Sequence, residues 1–413
     1  MSPLNRIAVT SPTGKSSAWQ LALFGGEPLF VEHFCVGRPN LPPFETYAKL
    51  MREAFDRRWL TNRGPLVQRF EDEIACRTDA RHCIAVANAT LGLQIAAVAA
   101  DVRGEVILPA FTFIATAHAF RWVGIEPVLA DVQYQTHQLD PASVVDRWTD
   151  RTGAIVGVHL WGETCDVEAL EEIARERGVP LLFDAAHAFG CSYRSKQVGN
   201  HGLAEVFSFH ATKFINCFEG GAICTNDDAF ASRVRSILNF GFRDGEATAM
   251  VGTNAKMSES SAAMGLATLE QMEEIIAHNR KVYDLYSESL TGQKGVQLYP
   301  YQTSESRNYQ YVVLEVNPML SELSRDEIVR VLALENIIAR KYFAPGLHRH
   351  EPYASGSTGQ VHVPVTDALC QQVFLLPTGT AVSIEAAQQI GQVLRTVLDH
   401  AGTIASRLRS VRA

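Results

Sequence analysis

The stretch Val206-Phe207-Ser208-Phe209-His210-Ala211-Thr212-Lys213-Phe214-Ile215-Asn216-Cys217-Phe218-Glu219-Gly220-Gly221 begins as an aromatic-rich strand and breaks into a polar turn that holds one lysine. Its glycine pair lets the backbone turn before a second apolar run, Ala222 to Thr225. Similar short runs recur upstream at Ile84 to Ala87, Glu105 to Leu108, Pro127 to Ala130, Ala154 to His159 and Pro180 to Asp184. Each reads as a strand apolar on both faces, and helical patterns lie between them at Pro65 to Arg77, Thr90 to Ala100 and Asp166 to Arg177. Such an alternation specifies an α/β fold with a mainly parallel sheet covered by helices.

A longer helical pattern along Ser258 to Leu290 reaches out of this domain and puts a boundary near residue 280. Past Gly295 come a strand at Tyr309 to Val316, a helix at Arg325 to Glu335, a loop rich in Pro, His and Gly, and a helix opened by Ser383 that runs to about His400. The expected organisation is an N-terminal arm over 1–33, a large α/β domain over 34–280 and a smaller C-terminal α+β domain over 281–413. Ser2 to Gln20 is rich in Ser, Thr, Pro and Lys, lacks the apolar core of a secretory signal, and reads as a loose arm.

Composition narrows the function classes. Of 413 residues, 46% are hydrophobic and 20% charged, which suits a folded globular chain and excludes disorder over most of it. The formal charge is −8 and basic residues form no block, so nucleic acid is not an expected partner. Apolar runs such as Ile95 to Ala100 fall far short of the roughly 18 residues that span a bilayer, so no membrane insertion is expected. Eight cysteines carry no C-x-x-C pair and read as buried reduced thiols of a cytoplasmic protein, with no metal site.

Three segments can carry chemistry. Lys213 in so apolar a setting is costly unless it is paired or converted to a neutral imine, and Schiff-base chemistry would account for it. A side chain that runs out to solvent is the plain alternative. In Pro180-Leu181-Leu182-Phe183-Asp184-Ala185-Ala186-His187-Ala188-Phe189-Gly190 a carboxylate sits at the C-terminal end of a buried strand, where open α/β sheets bind ligands. Asp184 there could hold a protonated pyridine nitrogen, or simply cap the segment that follows. In Val86-Ala87-Asn88-Ala89-Thr90-Leu91-Gly92-Leu93 a strand passes into a helix whose first amides suit a phosphate, with Ser208 a further phosphate ligand; Asn88 or Thr90 could equally be a cap.

Together these segments resemble the sugar aminotransferases of the DegT/DnrJ/EryC1/StrS family, pyridoxal-phosphate enzymes of fold type I. The resemblance runs in order from about Phe34 to the final helix. It also includes Trp59-Leu60-Thr61-Asn62-Arg63-Gly64-Pro65, Pro109-Ala110-Phe111-Thr112-Phe113-Ile114-Ala115-Thr116-Ala117, Val158-His159-Leu160-Trp161-Gly162 and Gly252-Thr253-Asn254-Ala255-Lys256-Met257-Ser258-Glu259. The resemblance implies that Lys213 is the Schiff-base lysine and that Asp184 pairs with the pyridine nitrogen. It places His187 near the phenolic oxygen and Phe113, otherwise a core residue, against the ring. Ala89, Thr90 and Ser208 would hold the phosphate, joined by Asn254 from the neighbouring subunit of a homodimer with shared active sites.

Three departures bear on this. Ala89 stands where many relatives have Gly, so the phosphate turn must avoid positive φ there. Lys256 stands where Arg is common, exchanging a fork for a point charge in any grip on a donor carboxylate. Glu163 takes a position often filled by an uncharged amide, which is expected to alter substrate contacts. The segment Glu335 to His348 looks like that of relatives acting at C4 of nucleotide-linked 4-keto-6-deoxysugars, with Arg340, Lys341 and His348 facing a diphosphate or merely lying at a solvated helix end.

The expected activity is transfer of an amino group from L-glutamate to a nucleotide-linked keto sugar, namely C4 of a dTDP-4-keto-6-deoxyhexose, in amino-deoxysugar biosynthesis for an antibiotic or surface glycan. An inosose or 3-keto sugar is the rival acceptor. A pyridoxal-dependent dehydratase of this fold would carry His in place of Lys213. A non-catalytic regulatory protein that binds the cofactor would call for a DNA-binding helix pair or basic tail, and the residues before Phe34 offer neither.

Overall fold

The seven apolar runs form one sheet: β1 (His82–Val86), β2 (Glu105–Pro109), β3 (Glu126–Ala130), β4 (Thr152–Val158), β5 (Leu181–Asp184), β6 (Ala204–Ser208) and β7 (Gly221–Thr225), in spatial order β1-β7-β6-β5-β4-β2-β3. The computed structural model describes residues 14–243, 247–355 and 361–412. Six strands run in one direction, and β7 is antiparallel to both its neighbours. The reason is the connection: β6 and β7 are joined by the Lys213 turn, which has no crossover helix to carry the chain back to the same end. Alternate side chains fill opposite faces. Ile84, Val106 and Val156 enter one core with Phe120 and Val234, whereas Ala85, Phe207 and Ala222 enter another with Phe70 and Leu266. Burial on both faces is why these strands lack polar alternation, and each fully buried large side chain stabilises by about 1.5–3 kcal/mol.

Two close approaches fix the end of this sheet. A Cβ on Gly221 would lie 2.8 Å from the Ala89 nitrogen, and one on Gly92 2.8 Å from Val206 Cγ1. These glycines let the helix Ala89–Ala99 start directly over β7 and β6. Ala89 is its first helical residue and is absent from the positive-φ residues, so alanine is accommodated in the turn without strain.

The helix expected along Ser258 to Leu290 is two helices, Glu259–Leu269 and Met272–Ser289. The Thr268 hydroxyl donates to Met264 O at 2.8 Å and lies 3.3 Å from Asn216 O, competing with the helical ladder one residue before it breaks. The second helix carries Met272 and Ile275 in the core of the large sheet and Val282 and Tyr286 in the next core. That core lies on an antiparallel sheet of β8 (Val296–Leu298), β9 (Val312–Val316) and β10 (Val373–Leu376), packed by the helices Arg325–Leu334 and Ile384–Asp399. The helices Pro364–Gln372 and Ala401–Arg412, and strand β10, were not legible in the sequence pattern.

Of the segment Ser2 to Gln20 expected as a loose arm, residues 2–13 lie outside the described residues, and the rest, with the remainder of the N-terminal arm to residue 33, is docked and not loose. Leu21, Leu29 and Phe30 are fully buried in the second core. The buried Glu335 carboxylate accepts from Lys15 Nζ at 2.5 Å, Ala22 N at 2.7 Å and Leu29 N at 2.8 Å. Polar composition concealed this docking because only four or five apolar side chains and one ion pair carry it. Among the described residues no helix is long and apolar enough to cross a membrane. All eight cysteines are free; six are buried, whereas Cys35 is partly exposed and Cys76 exposed, contrary to the reading of all as buried thiols.

Candidate active site

The strand ends on one side of the large sheet open on a cavity of ≈ 620 Å³. Asp184 is the last residue of β5, Ser208 the last of β6, and β1 leads through Asn88 into the helix beginning at Ala89. Asn88 Oδ1 accepts from Leu91 N at 2.9 Å and caps that helix. Its positive end therefore forms one wall of the cavity, where Asn88, Ala89, Thr90 and Ser208 meet. Lys213 stands on the opposite wall after a tight turn, its own N donating to His210 O at 2.8 Å.

Asp184 is held by two donors: Thr116 Oγ1 at 2.8 Å from Oδ2 and Ala186 N at 3.1 Å from Oδ1. Burial pushes its carboxyl above the usual range, with Thr116, Ala186 and the Lys213 charge pulling it back. Burial lowers the Lys213 amine to about 8, against the pull of Asp184. His187, stacked on Trp161 at 5.8 Å and 24°, is held well below its ordinary value by burial and by Lys213, so its ring is neutral. Beneath them His159 Nε2 meets Glu205 Oε1 at 2.8 Å, wholly buried, with the His159 ring stacked on Phe183 at 4.5 Å. Tyr311 reaches in from the segment before β9, and Lys213 Nζ lies 3.1 Å from its hydroxyl.

The cavity brings together Ala89, Thr90, Phe113, Asp184, His187, Ser208, Lys213 and Arg340. Phe113 is 54% exposed at the mouth, not a core residue. Lys341 lines only an adjoining cavity of ≈ 410 Å³, and its Nζ is 3.2 Å from Asp326 Oδ1. His348 lines neither: it is buried against Asp367 at 3.0 Å, and His350 faces the second cavity instead. The reason is the one-turn 3₁₀ helix Leu347–Arg349, which turns the two histidines to different sides. Glu163 is buried in a fork with Arg307, Oε1 to Nε 2.8 Å and Oε2 to Nη2 2.6 Å, so its charge is spent inside the protein and not on a substrate. Asn254 and Lys256 are outside the cavity of their own chain; Asn254 is exposed, and Lys256 Nζ bonds Asn239 Oδ1 at 3.1 Å and lies 4.4 Å over Phe240. Sequence reasoning missed Thr116 and Tyr311, because nothing local marks one threonine or tyrosine among many as facing Asp184 or Lys213.

An open α/β sheet with a helix N-terminus, a carboxylate and an amine gathered at its strand ends, in this order along the chain, is the plan of the fold type I pyridoxal-phosphate enzymes. The chain belongs to the DegT/DnrJ/EryC1/StrS aminotransferase family, whose model matches residues 45–395. It is 31% identical over 362 residues to a dTDP-4-amino-4,6-dideoxy-D-glucose transaminase of Escherichia coli, covering 87% of this chain and 97% of the relative. A GDP-perosamine synthase of Caulobacter vibrioides is 34% identical over 317 residues, 75% of this chain and 85% of the other. The crystal structure of DesI in the presence of its TDP-sugar product superposes with TM-score 0.90 at 43% identity, covering 95% of this chain and all of that one. The protein is thus an aminotransferase, and its cofactor is pyridoxal phosphate.

The residues present fit that group. Asp184 has two donors on its four acceptor positions and so retains capacity for a third, which a protonated ring nitrogen would supply. The helix N-terminus and Ser208 would offer a phosphate a dipole and a hydroxyl, and Lys213 has an amine of lowered basicity that would suit an aldehyde.

Proposed function

We propose that this enzyme moves the amino group of L-glutamate to the ketone of a nucleotide-linked keto sugar, C4 of a dTDP-4-keto-6-deoxyhexose, as a homodimer with shared active sites. The observation that carries the acceptor is the adjoining cavity. Arg340, Lys341 and His350 stand around it, and it joins the main cavity through Thr112, Phe113, Arg340, Tyr342 and Phe343. The guanidinium of Arg340 and the ammonium of Lys341 suit a diphosphate whose sugar points into the main cavity. The name of the E. coli relative favours a dTDP sugar aminated at C4, and the TDP-sugar product in the DesI structure favours the same nucleotide.

Each residue is proposed for one task. Asp184 keeps the ring nitrogen of the cofactor protonated, the neutral His187 lies by its oxygen, and Phe113 covers the ring. Ala89, Thr90 and Ser208 hold the phosphate. Bound so, the cofactor supplies an electron sink that stabilises a carbanion at the donor's α-carbon. Lys213 Nζ removes the α-proton of the donor, keeps it, and delivers it one carbon away; in the second half it moves a proton in the reverse sense at the sugar carbon. The Tyr311 ring beside the amine, itself packed edge-on to Trp161, limits the approach of water to that proton.

Two features support the dimer. Asn254 and Lys256 sit outside their own cavity, where a neighbour's pocket could receive them, and Phe218, Phe240 and Val251 leave 45%, 48% and 92% of their surface exposed. The test is product analysis: enzyme and glutamate with dTDP-, GDP- and UDP-linked 4-keto and 3-keto sugars and an inosose, scored by amino-sugar mass and 2-oxoglutarate release. Turnover of the dTDP-4-keto sugar well above the others is expected; preference for an inosose or a 3-keto sugar overturns the assignment.

A further inference from the structure

Tyr311 and Lys213 come from different parts of the chain. Lys213 follows β6, and Tyr311 immediately precedes β9 in the smaller sheet, so their contact ties that sheet to the reacting amine. The two groups are 3.1 Å apart, and among the described residues the Tyr311 hydroxyl is the one hydrogen-bond partner of Nζ. The tyrosine itself has little freedom. It is 8% exposed, its ring lies 4.4 Å from that of His187 and edge-on to Trp161 at 5.7 Å, and its carbonyl accepts from Tyr301 Oη at 2.7 Å. Gln310 beside it accepts from Phe214 N at 3.4 Å, fixing the residue that follows the lysine.

A lysine has four rotatable bonds, and burying it costs rotamer entropy. Between the two half-reactions the amine must be free, yet stay aimed at the carbon that gives up or takes the proton. We propose that Tyr311 is the positioning residue for Lys213, its hydroxyl accepting from the freed Nζ and holding the amine in the orientation of proton transfer. Burial raises the phenol well above its ordinary value, so it stays un-ionised and leaves the amine its basicity. This rests on Lys213 being the proton-carrying lysine of the proposed function.

The test is Tyr311→Phe in the holoenzyme. Borohydride reduction followed by peptide mapping asks separately whether Lys213 bears the cofactor; a label on another lysine sinks the underlying reading whatever Tyr311 does. With Lys213 labelled, Tyr311→Phe should lower kcat by about 10²-fold, the order expected for ångström-scale misplacement of a reacting group. KM for glutamate should be unchanged, and the primary isotope effect with α-deuterated glutamate should rise as proton transfer becomes slower than the other steps. Tyr311→His, which keeps a ring and a hydrogen-bonding atom, should recover part of the rate. A folded Tyr311→Phe with wild-type kcat and isotope effect shows that the tyrosine only packs, and overturns the proposal.

A separate observation lies on the far side of Tyr311. A cavity of ≈ 20 Å³ is lined by Asn279, Gln310 and Thr378, which are 1%, 6% and 8% exposed. Asn279 Nδ2 donates to Asn308 O at 3.2 Å and Gln310 Oε1 is used by Phe214 N, which leaves Asn279 Oδ1, Gln310 Nε2 and Thr378 Oγ1 without a protein partner among the described residues. Leaving such atoms buried and unbonded is costly, whereas a space of roughly 10–15 Å³ or more with two to four polar groups takes one water. We infer that this is a site for a single ordered water, accepting from Gln310 and donating to Asn279 and Thr378. A crystal structure that resolves other buried waters should show density at about 2.7–3.2 Å from all three atoms; empty density there, or the three bonded elsewhere, overturns the inference.

Discussion

The lowered basicity of Lys213 has a measurable consequence for cofactor uptake. Only the neutral amine attacks an aldehyde, and holding it at about 8 instead of the ordinary 10.5 multiplies its neutral fraction at pH 7 by about 300-fold. Uptake of pyridoxal phosphate by the apoprotein, followed by absorbance after mixing, should therefore rise with pH through an inflection near 8 and level off above it. Asp184 is the one group that opposes burial at this amine. In Asp184→Asn the ammonium loses that support, so the inflection should move below 8, while a lost contact to the ring changes the plateau rate and not the inflection. The direction is the sharp part of the test: loss of an anion can only lower a cation's pKa. An inflection above pH 10 in the wild type, or an upward move in Asp184→Asn, would refute the reasoning.

Lys213→Ala should lose turnover by several orders of magnitude while remaining folded, checked by single-turnover assays and circular dichroism. Thr116→Val removes the hydroxyl that pulls Asp184 down; the carboxyl should titrate at higher pH, moving the acid limb of the kcat/KM profile upward, and an unmoved limb would contradict the Thr116 contact. Glu335→Gln leaves the Lys15 ammonium, 3% exposed, without its counter-charge, so unfolding in urea should show a loss of about 3–5 kcal/mol, with Lys15→Met/Glu335→Leu recovering much of it. Mixing inactive Lys213→Ala and Asn254→Asp variants under subunit exchange should restore activity towards half of one wild-type dimer, because one pocket of the mixed dimer carries neither defect. No recovery despite proven exchange removes Asn254 from a shared site.

Much of the molecule follows from local pattern. Apolar runs of four to seven residues without alternation can be satisfied only by strands covered on both faces, and all seven took their places in the large sheet. The positions of Asp184 and Ser208 at strand ends, and of Lys213 in the turn that follows β6, are set by where the same apolar runs stop. What pattern could not supply is contact between distant residues. Lys15 and Glu335 meet across 320 positions, Thr116 and Asp184 across 68, and Lys213 and Tyr311 across 98. Each pair contains residue types common on any surface, and only the closed chain makes them neighbours. Side-chain direction behaves likewise: His348 and His350 stand two places apart, yet one is spent on Asp367 and the other faces a cavity, because a single 3₁₀ turn lies between them. Periodicity is a property of a few consecutive residues, so it fixes strands and their ends. Facing, pairing and burial are properties of the packed whole, and the tyrosine on the lysine belongs to that second kind.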